Sequence, residues 1–135
     1  NMDSLWKMLQ ENNTTSQLNE SSNVRVAIRM RPLNSREIEL QSQKCIEMIG
    51  GREVVVTEPE VMQEHRFNFD FCFDTTAPDS DPSAGSQEIT FQKIGIEVLA
   101  NAWKGYNASL FAYGQTGSGK SYSMMGSESS PGIIP

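Results

Sequence analysis

An eight-residue glycine-rich run, GQTGSGKS at residues 114–121, constrains the fold of this chain more than any other feature. It fits the pattern G-x-x-x-x-G-K-S/T, which forms a tight turn between a strand and a helix. In such a turn the backbone N–H groups can surround a polyanion, and the following helix adds its positive dipole end. A chance match in a chain of this length has odds on the order of one in a few hundred. The run therefore predicts a phosphate-binding loop.

Each residue type in this loop has a chemical reason to be there. Glycines lack the side chains that would obstruct a phosphate, and they permit positive φ angles. Lys120 supplies a positive charge near the β- and γ-phosphates, and Ser121 offers an oxygen to Mg²⁺, which prefers oxygen ligands. The predicted cofactor-binding residues of the loop are Gly114, Gln115, Thr116, Gly117, Ser118, Gly119, Lys120 and Ser121, with Ser121 also as the metal ligand.

Apolar patterns on both sides of the loop predict an α/β fold. Residues 108–113 form a short uncharged run without alternation, which is typical of a strand buried on both faces of a sheet. Residues 86–104 carry apolar side chains at spacings of three and four, which predicts a helix. Ser86 is a suitable N-cap for this helix, and Gly105 a suitable stop.

Further strands are predicted before this helix. Residues 24–31 alternate apolar and polar side chains up to Pro32, and two short apolar runs flank Gly50 and Gly51 as in a hairpin. Residues 65–74 read as one strand with four phenylalanines on one face, which we expect to be core. A nucleic-acid stacking platform is the alternative, but the run lacks interleaved basic residues.

Composition narrows the class of protein. The chain has 135 residues, enough for one domain, and its net charge of −6 argues against a nucleic-acid partner. Cys45 and Cys72 match no metal spacing and are expected to be reduced thiols, as in the cytosol or nucleus. We expect neither a secretory signal nor a membrane span from this sequence, since no suitable apolar run occurs in it. Residues 1–22 are polar and are predicted to be a flexible lead-in, so the domain spans residues 23–135.

Several motifs of this sequence resemble those of the kinesin motor domain family, and they occur in the same order. They are VRVAIRMRPLNSRE, FNFDFCFD, GYNASLFAYGQTGSGK and PGIIP, and SYSMMG is most like the kinesin-three branch. The resemblance implies an α/β P-loop NTPase of kinesin type, with a central, mainly mixed sheet flanked by helices. We expect residues 23–135 to be only the N-terminal part of such a motor domain.

The resemblance also implies residue roles and partners. The adenine of ATP or ADP would lie between Arg29, Pro32 and Tyr122, where a guanidinium and an aromatic ring can sandwich a purine. Together with Mg²⁺, the nucleotide would drive a microtubule motor of the cytoplasmic cytoskeleton. Tubulin contacts and catalytic residues are expected outside these residues, because the family's N-x-x-S-S-R and D-x-x-G-S-E elements do not occur here.

Two alternatives stay open at this point. The chain could be a truncated or degenerate kinesin-like module that binds nucleotide or a partner without turnover. It could also be an unrelated P-loop kinase or GTPase, although no N-K-x-D motif for guanine occurs and several strands precede the loop.

Overall fold

The computed structural model of this chain describes residues 24–135, so the predicted lead-in at residues 1–22 lies outside the described residues. The strands are β1 (Ala27–Met30), β2 (Ile46–Ile49), β3 (Glu53–Glu58), β4 (Gln63–Asn68), β5 (Phe71–Asp74), β6 (Gly126–Ser127) and β7 (Ser130–Pro131). The helices are α1 (Ser35–Glu39), α2 (Gln87–Thr90), α3 (Ile96–Trp103) and α4 (Lys120–Met124), and a π-helical segment, Phe91–Gly95, joins α2 to α3. None of the helices within residues 24–135 has the length and apolar character needed to cross a bilayer.

Strands β2, β3 and β4 form an antiparallel sheet, and the predicted hairpin at its start is confirmed. Gly50 and Gly51 make the turn with φ angles of +59° and +72°. The turn also packs closely, because a Cβ added at Gly51 would lie 2.6 Å from the Pro82 carbonyl oxygen. The hairpin therefore needs glycine at this position for conformation and for space.

Strands β1 and β5 pair in parallel, with Ile28 opposite Cys72. The core lies between this pair and the antiparallel sheet, where Met48, Val54 and Cys72 are buried together. Partly buried apolar side chains from β1, β2 and β3, together with Phe69, pack around these three residues. Parallel and antiparallel pairing thus meet across one small apolar core.

The prediction of one continuous strand over residues 65–74 is wrong. The chain leaves β3 after Asn68 and joins β1 from Phe71 onward. Asp70 fixes the crossing, since its backbone N–H donates to the Val26 carbonyl at 3.1 Å and its carboxylate accepts from the Val26 N–H at 2.8 Å. Phe67 is therefore 49% exposed while Phe73 is 1% exposed, and only part of the predicted aromatic face is core.

The predicted helix over residues 86–104 is confirmed in its extent. The Ser86 hydroxyl accepts a hydrogen bond from the Ile89 N–H, and Gly105 follows the helix end with φ of +86°. The π-helical segment at its middle brings Gly95 against the Phe91 ring, where any side chain would collide. This close approach explains a glycine in the middle of a helix.

The prediction of a buried strand at residues 108–113 is also wrong. This segment has no regular structure, and Phe111 and Tyr113 are 87% and 102% exposed. An uncharged run is buried on both faces only where neighbouring strands cover it. Within residues 24–135 no strand pairs with this segment, and a cavity of about 780 Å³ lies between it, β1 and α3.

Candidate functional site

The glycine loop turns sharply between residue 113 and helix α4, which begins at Lys120. Gly117 and Gly119 have φ angles of +80° and +96°, which L side chains rarely adopt. A Cβ at Gly114 would collide with the Ser118 hydroxyl, so the start of the turn has no room for a side chain. The glycines therefore stand where the backbone requires them, as the sequence pattern predicts.

The Lys120 ammonium lies inside the curve of this loop. Its Nζ donates to the carbonyl oxygens of Gly114 and Gln115, at 2.7 and 2.8 Å. These two contacts hold the charge beside the loop backbone. The Ser121 hydroxyl next to it is exposed and makes no hydrogen bond to any of the described residues. A positive charge and a hydroxyl oxygen thus stand at the N-terminal end of α4.

Arg29 and Tyr122, far apart in sequence, meet beside α4. The guanidinium carbon of Arg29 lies 5.6 Å from the centroid of the Tyr122 ring, a distance typical of a cation–π contact. Arg29 is anchored by three further partners: its Nη2 donates to the Gly85 carbonyl, and its Nη1 donates to Gln87 Oε1 and Ser123 Oγ, all at 2.8 Å. Burial lowers the pKa of Arg29, and the neighbouring Tyr122 acts in the opposite direction.

Pro32, the third residue of the predicted adenine site, is exposed just beyond the end of β1. The structure therefore brings the loop residues together around Lys120 and brings Arg29 to Tyr122. The Pro32 carbonyl accepts a hydrogen bond from Nη1 of the preceding residue, Arg31, at 2.8 Å.

Comparison with known proteins decides the family. The family model described as Kinesin motor domain matches residues 29–135. The chain belongs to the kinesin motor domain family. Kinesin-related protein 1 of Dictyostelium discoideum is 43% identical over 124 residues, and the match covers 84% of this chain and 6% of that protein. Human KIF1B is 44% identical over 118 residues, with 84% and 6% covered.

Solved kinesin structures agree with this assignment. A KIF14 structure with ADP in complex with a microtubule has a TM-score of 0.75 and 40% identity, and covers 84% of this chain and 31% of that chain. A dimeric KIF14 structure with AMP-PNP in complex with a microtubule has a TM-score of 0.76. The match confirms the predicted kinesin-type α/β P-loop NTPase fold, of which this chain spans about a third. Kinesin-3 relatives such as KIF1B and KIF13A agree with the predicted branch.

Two further residues of the candidate site were not predicted from the sequence. Gln87, nearly buried, accepts from Arg29 and donates through Nε2 to the Tyr122 carbonyl at 2.6 Å. Ser123 accepts from Arg29 on the other side. Gln87 could not be found from helical periodicity, because its role depends on a partner that lies 35 residues later in the chain. For Ser123 we see no sequence signal beyond its place in α4.

The acidic side chain of Glu37, in helix α1 after β1, is paired with an arginine. Glu37 makes a bidentate ion pair with Arg31, at 2.7 Å for both bonds. Hydrogen bonds from Arg31 and from the Asn34 backbone lower the pKa of Glu37 from 4.5 to about 2. The signal that could have identified this contact is an arginine six residues before the glutamate in the sequence.

The residues at the loop fit a phosphate group with a hard cation. A side chain would meet no atom within 4 Å at Gly117 or Gly119, so the loop backbone is open there, and Lys120 supplies the balancing charge. Among the described residues no group of three or more histidine, cysteine or acidic side chains could hold a metal. A Mg²⁺ ion here would therefore rest on the Ser121 hydroxyl, with the remaining oxygens supplied by phosphate and water.

Proposed function

We propose that this chain binds Mg-ATP as the nucleotide-binding part of a kinesin motor domain. The observation that carries the proposal is the glycine loop with the Lys120 ammonium inside its curve, in a chain of the kinesin family. ADP, the product of hydrolysis, would occupy the same residues. A phosphate chain is the ligand that such a loop fits best, since it combines high charge with small volume.

The loop residues divide the work of holding the phosphates. Backbone N–H groups of residues 114–119 would donate to phosphate oxygens, with Gln115, Thr116 and Ser118 contributing through the main chain. Lys120 would exchange its two carbonyl partners for phosphate oxygens, a stronger charge-assisted contact. Ser121 would hold Mg²⁺, which neutralises phosphate charge when it is bound.

Arg29 and Tyr122 would receive the purine, with Pro32 at the edge. A ring inserted between two flat groups needs them about 7 Å apart, because stacked carbon atoms lie about 3.5 Å from each other. The 5.6 Å between Arg29 and Tyr122 is too short for that. We therefore expect the purine to stack on the ring of Tyr122, which is 47% exposed, while Arg29 supports the other side.

The motor activity belongs to a larger unit than residues 24–135. The chain spans about 6% of the length of the curated kinesin relatives that it matches. We propose that it acts within a motor domain that couples ATP hydrolysis to movement along microtubules in the cytoplasm. Support comes from the KIF14 structures, which hold nucleotide and a microtubule. The residues that position the attacking water, and the tubulin-binding surface, would lie outside residues 24–135.

Calorimetric titration of the 135-residue chain tests the proposal directly. Mg-ATP, Mg-GTP and Mg-tripolyphosphate are titrated under the same conditions. We expect saturable binding of Mg-ATP, and weaker binding of tripolyphosphate because it lacks the base that would stack on Tyr122. Binding of Mg-GTP in clear preference to Mg-ATP would favour a GTPase, and absence of binding to all three would contradict the proposal.

A further inference from the structure

The second arginine of the R-M-R-P stretch, Arg31, reaches from the end of β1 to the glycine loop. Its Nε donates to the Gly117 carbonyl oxygen at 3.0 Å, a contact between residues 86 positions apart in the chain. Gly117 has a φ of +80° and open space where a side chain would be, so packing does not fix its conformation. The hydrogen bond from Arg31 therefore restrains Gly117, a loop residue whose backbone has large conformational freedom.

The Arg31 guanidinium is itself held in one plane. Its Nη1 donates to the Pro32 carbonyl at 2.8 Å and to Glu37 Oε2 at 2.7 Å, and its Nη2 donates to Glu37 Oε1 at 2.7 Å. Together with the Gly117 contact, these bonds use four of the five N–H donors that an arginine offers. Both side chains of the pair are only 30% exposed. A planar fork with this many fixed partners has little freedom to rotate.

The Glu37 carboxylate is fixed in turn by the start of helix α1. The Asn34 side chain accepts from the Glu37 N–H at 2.9 Å, and Glu37 Oε2 accepts from the Asn34 N–H at 2.8 Å. This reciprocal pair is a capping box, which satisfies the first free donors of the helix. A chain of restraints thus runs from the capping box through Glu37 and Arg31 to Gly117.

The Gly117 carbonyl and the Ser118 N–H belong to one planar peptide and point in opposite directions. The carbonyl faces Arg31, and the Ser118 N–H donates to the Gln115 carbonyl at 3.1 Å across the turn. If this peptide flipped, the Gly117 oxygen would face into the loop, where it would repel a phosphate. The direction of this peptide plane therefore decides whether the Gly117 oxygen faces Arg31 or the bound phosphates.

We propose that Arg31 is a positioning residue of the phosphate loop, which holds the Gly117–Ser118 peptide so that its oxygen faces away from the bound phosphates. This role rests on the proposed nucleotide binding, but its structural half can be measured without nucleotide. A merely structural ion pair would stabilise α1 and leave the loop backbone as it is.

The test is amide hydrogen exchange by NMR on the nucleotide-free 135-residue chain, with Mg-ATP titration on the same samples. The variant is Arg31→Lys, which keeps the charge but cannot contact Gly117 and both Glu37 oxygens together. Glu37→Gln is a second, milder variant. The matched control is Arg66→Lys, because Arg66 also pairs with two carboxylates, Glu53 and Glu64, but lies in the antiparallel sheet.

In Arg31→Lys we expect the Ser118 amide to exchange about tenfold faster, the effect of losing one hydrogen bond, and the Kd for Mg-ATP to rise by a similar factor. Amides of β3 should exchange as in the wild type, and Glu37→Gln should show a smaller change in the same direction. The control should leave Ser118 unchanged.

Three results would overturn the role of Arg31: an unprotected Ser118 amide in the wild type, wild-type exchange of Ser118 in Arg31→Lys, or an equal acceleration in β3. Absence of Mg-ATP binding by the wild type is a different outcome. It would contradict the proposed function, while the exchange rates would still decide whether Arg31 orients the peptide.

Discussion

Two regions of the molecule differ in what fixes their backbone conformation. They are the antiparallel sheet of β2, β3 and β4 and the segment of residues 105–119. In the sheet, each strand pairs with the next one along the chain, and Val54 and Val55 are buried at its centre. In the glycine loop, the conformation depends on single hydrogen bonds from Lys120, Ser118 and Arg31. The sheet is therefore determined by continuous pairing of neighbouring strands, whereas the loop depends on a few single hydrogen bonds, one of which comes from Arg31, 86 positions away.

This contrast predicts that stability and ligand binding can be changed separately. The largest effect on stability is expected from Phe73→Ala, because Phe73 is 1% exposed in the core. Such a truncation costs about 3–5 kcal/mol of unfolding free energy, measured by urea denaturation. Phe67→Ala is the matched control, since Phe67 is 49% exposed, and it should cost far less. Equal losses in the two variants would contradict the division of residues 65–74 into two strands.

Two glycine substitutions, one in the sheet and one in the loop, separate effects on stability from effects on binding. Gly51→Ala meets the Pro82 carbonyl at 2.6 Å and a φ of +72°, so we expect it to destabilise the chain by about 1–3 kcal/mol. Gly117→Ala has open space around it and a φ of +80°, and we expect it to weaken Mg-ATP binding more than it lowers the melting temperature. Thermal melts with and without Mg-ATP measure both. The contrast fails if Gly117→Ala unfolds the sheet as readily as Gly51→Ala.

The purine contact is expected to have an intermediate effect. Tyr122→Ala should weaken Mg-ATP binding by about 1–3 kcal/mol, the range found for base–aromatic stacking, and should leave tripolyphosphate binding unchanged. Tyr106→Ala is the control, because Tyr106 is 67% exposed beyond the end of α3. An equal loss for ATP and tripolyphosphate in Tyr122→Ala would show that Tyr122 only packs against the loop.

The smallest expected effect is on pH dependence. Hydrogen bonds from Arg31 and Asn34 lower the pKa of Glu37 from 4.5 to about 2, so its contribution to stability is present above pH 4.5 and is lost as the pH falls toward 2. The difference in melting temperature between the wild type and Glu37→Gln should therefore shrink through that window. A difference that stays constant from pH 6 to pH 2 would exclude this ion pair as its cause.

The elements that sequence alone predicted correctly have local signals. The hairpin follows from Gly50 and Gly51, and the helix over residues 86–104 from Ser86 and its apolar spacing. The two wrong predictions concern strands whose partners are distant, since alternation over residues 65–74 cannot reveal that Asp70 turns the chain from β3 to β1. Likewise, the uncharged run at residues 108–113 indicates which side chains a strand would bury. It does not indicate whether neighbouring strands pair with it.

The candidate site divides in the same way. Lys120, Ser121 and the glycines could be proposed as phosphate-binding residues because their spacing is contained in eight residues. The family resemblance added Arg29 and Tyr122, which do meet beside α4. Arg31 and Gln87 could not be singled out in advance, because each contacts a backbone carbonyl at least 35 residues away. Every residue has a backbone carbonyl, so residue types in the sequence do not indicate which carbonyl a side chain will contact.

Titration of Mg-ATP into the wild-type chain and two lysine variants examines the phosphate-binding loop itself. The claim is that the glycine loop and Lys120 bind the phosphates. In Lys120→Ala, loss of the charge should raise the Kd by at least about thirtyfold, with the fold retained, because phosphate oxygens would lose a charged partner. Lys104→Ala, at the end of α3, should bind as the wild type does. An unchanged Kd in Lys120→Ala would contradict the account.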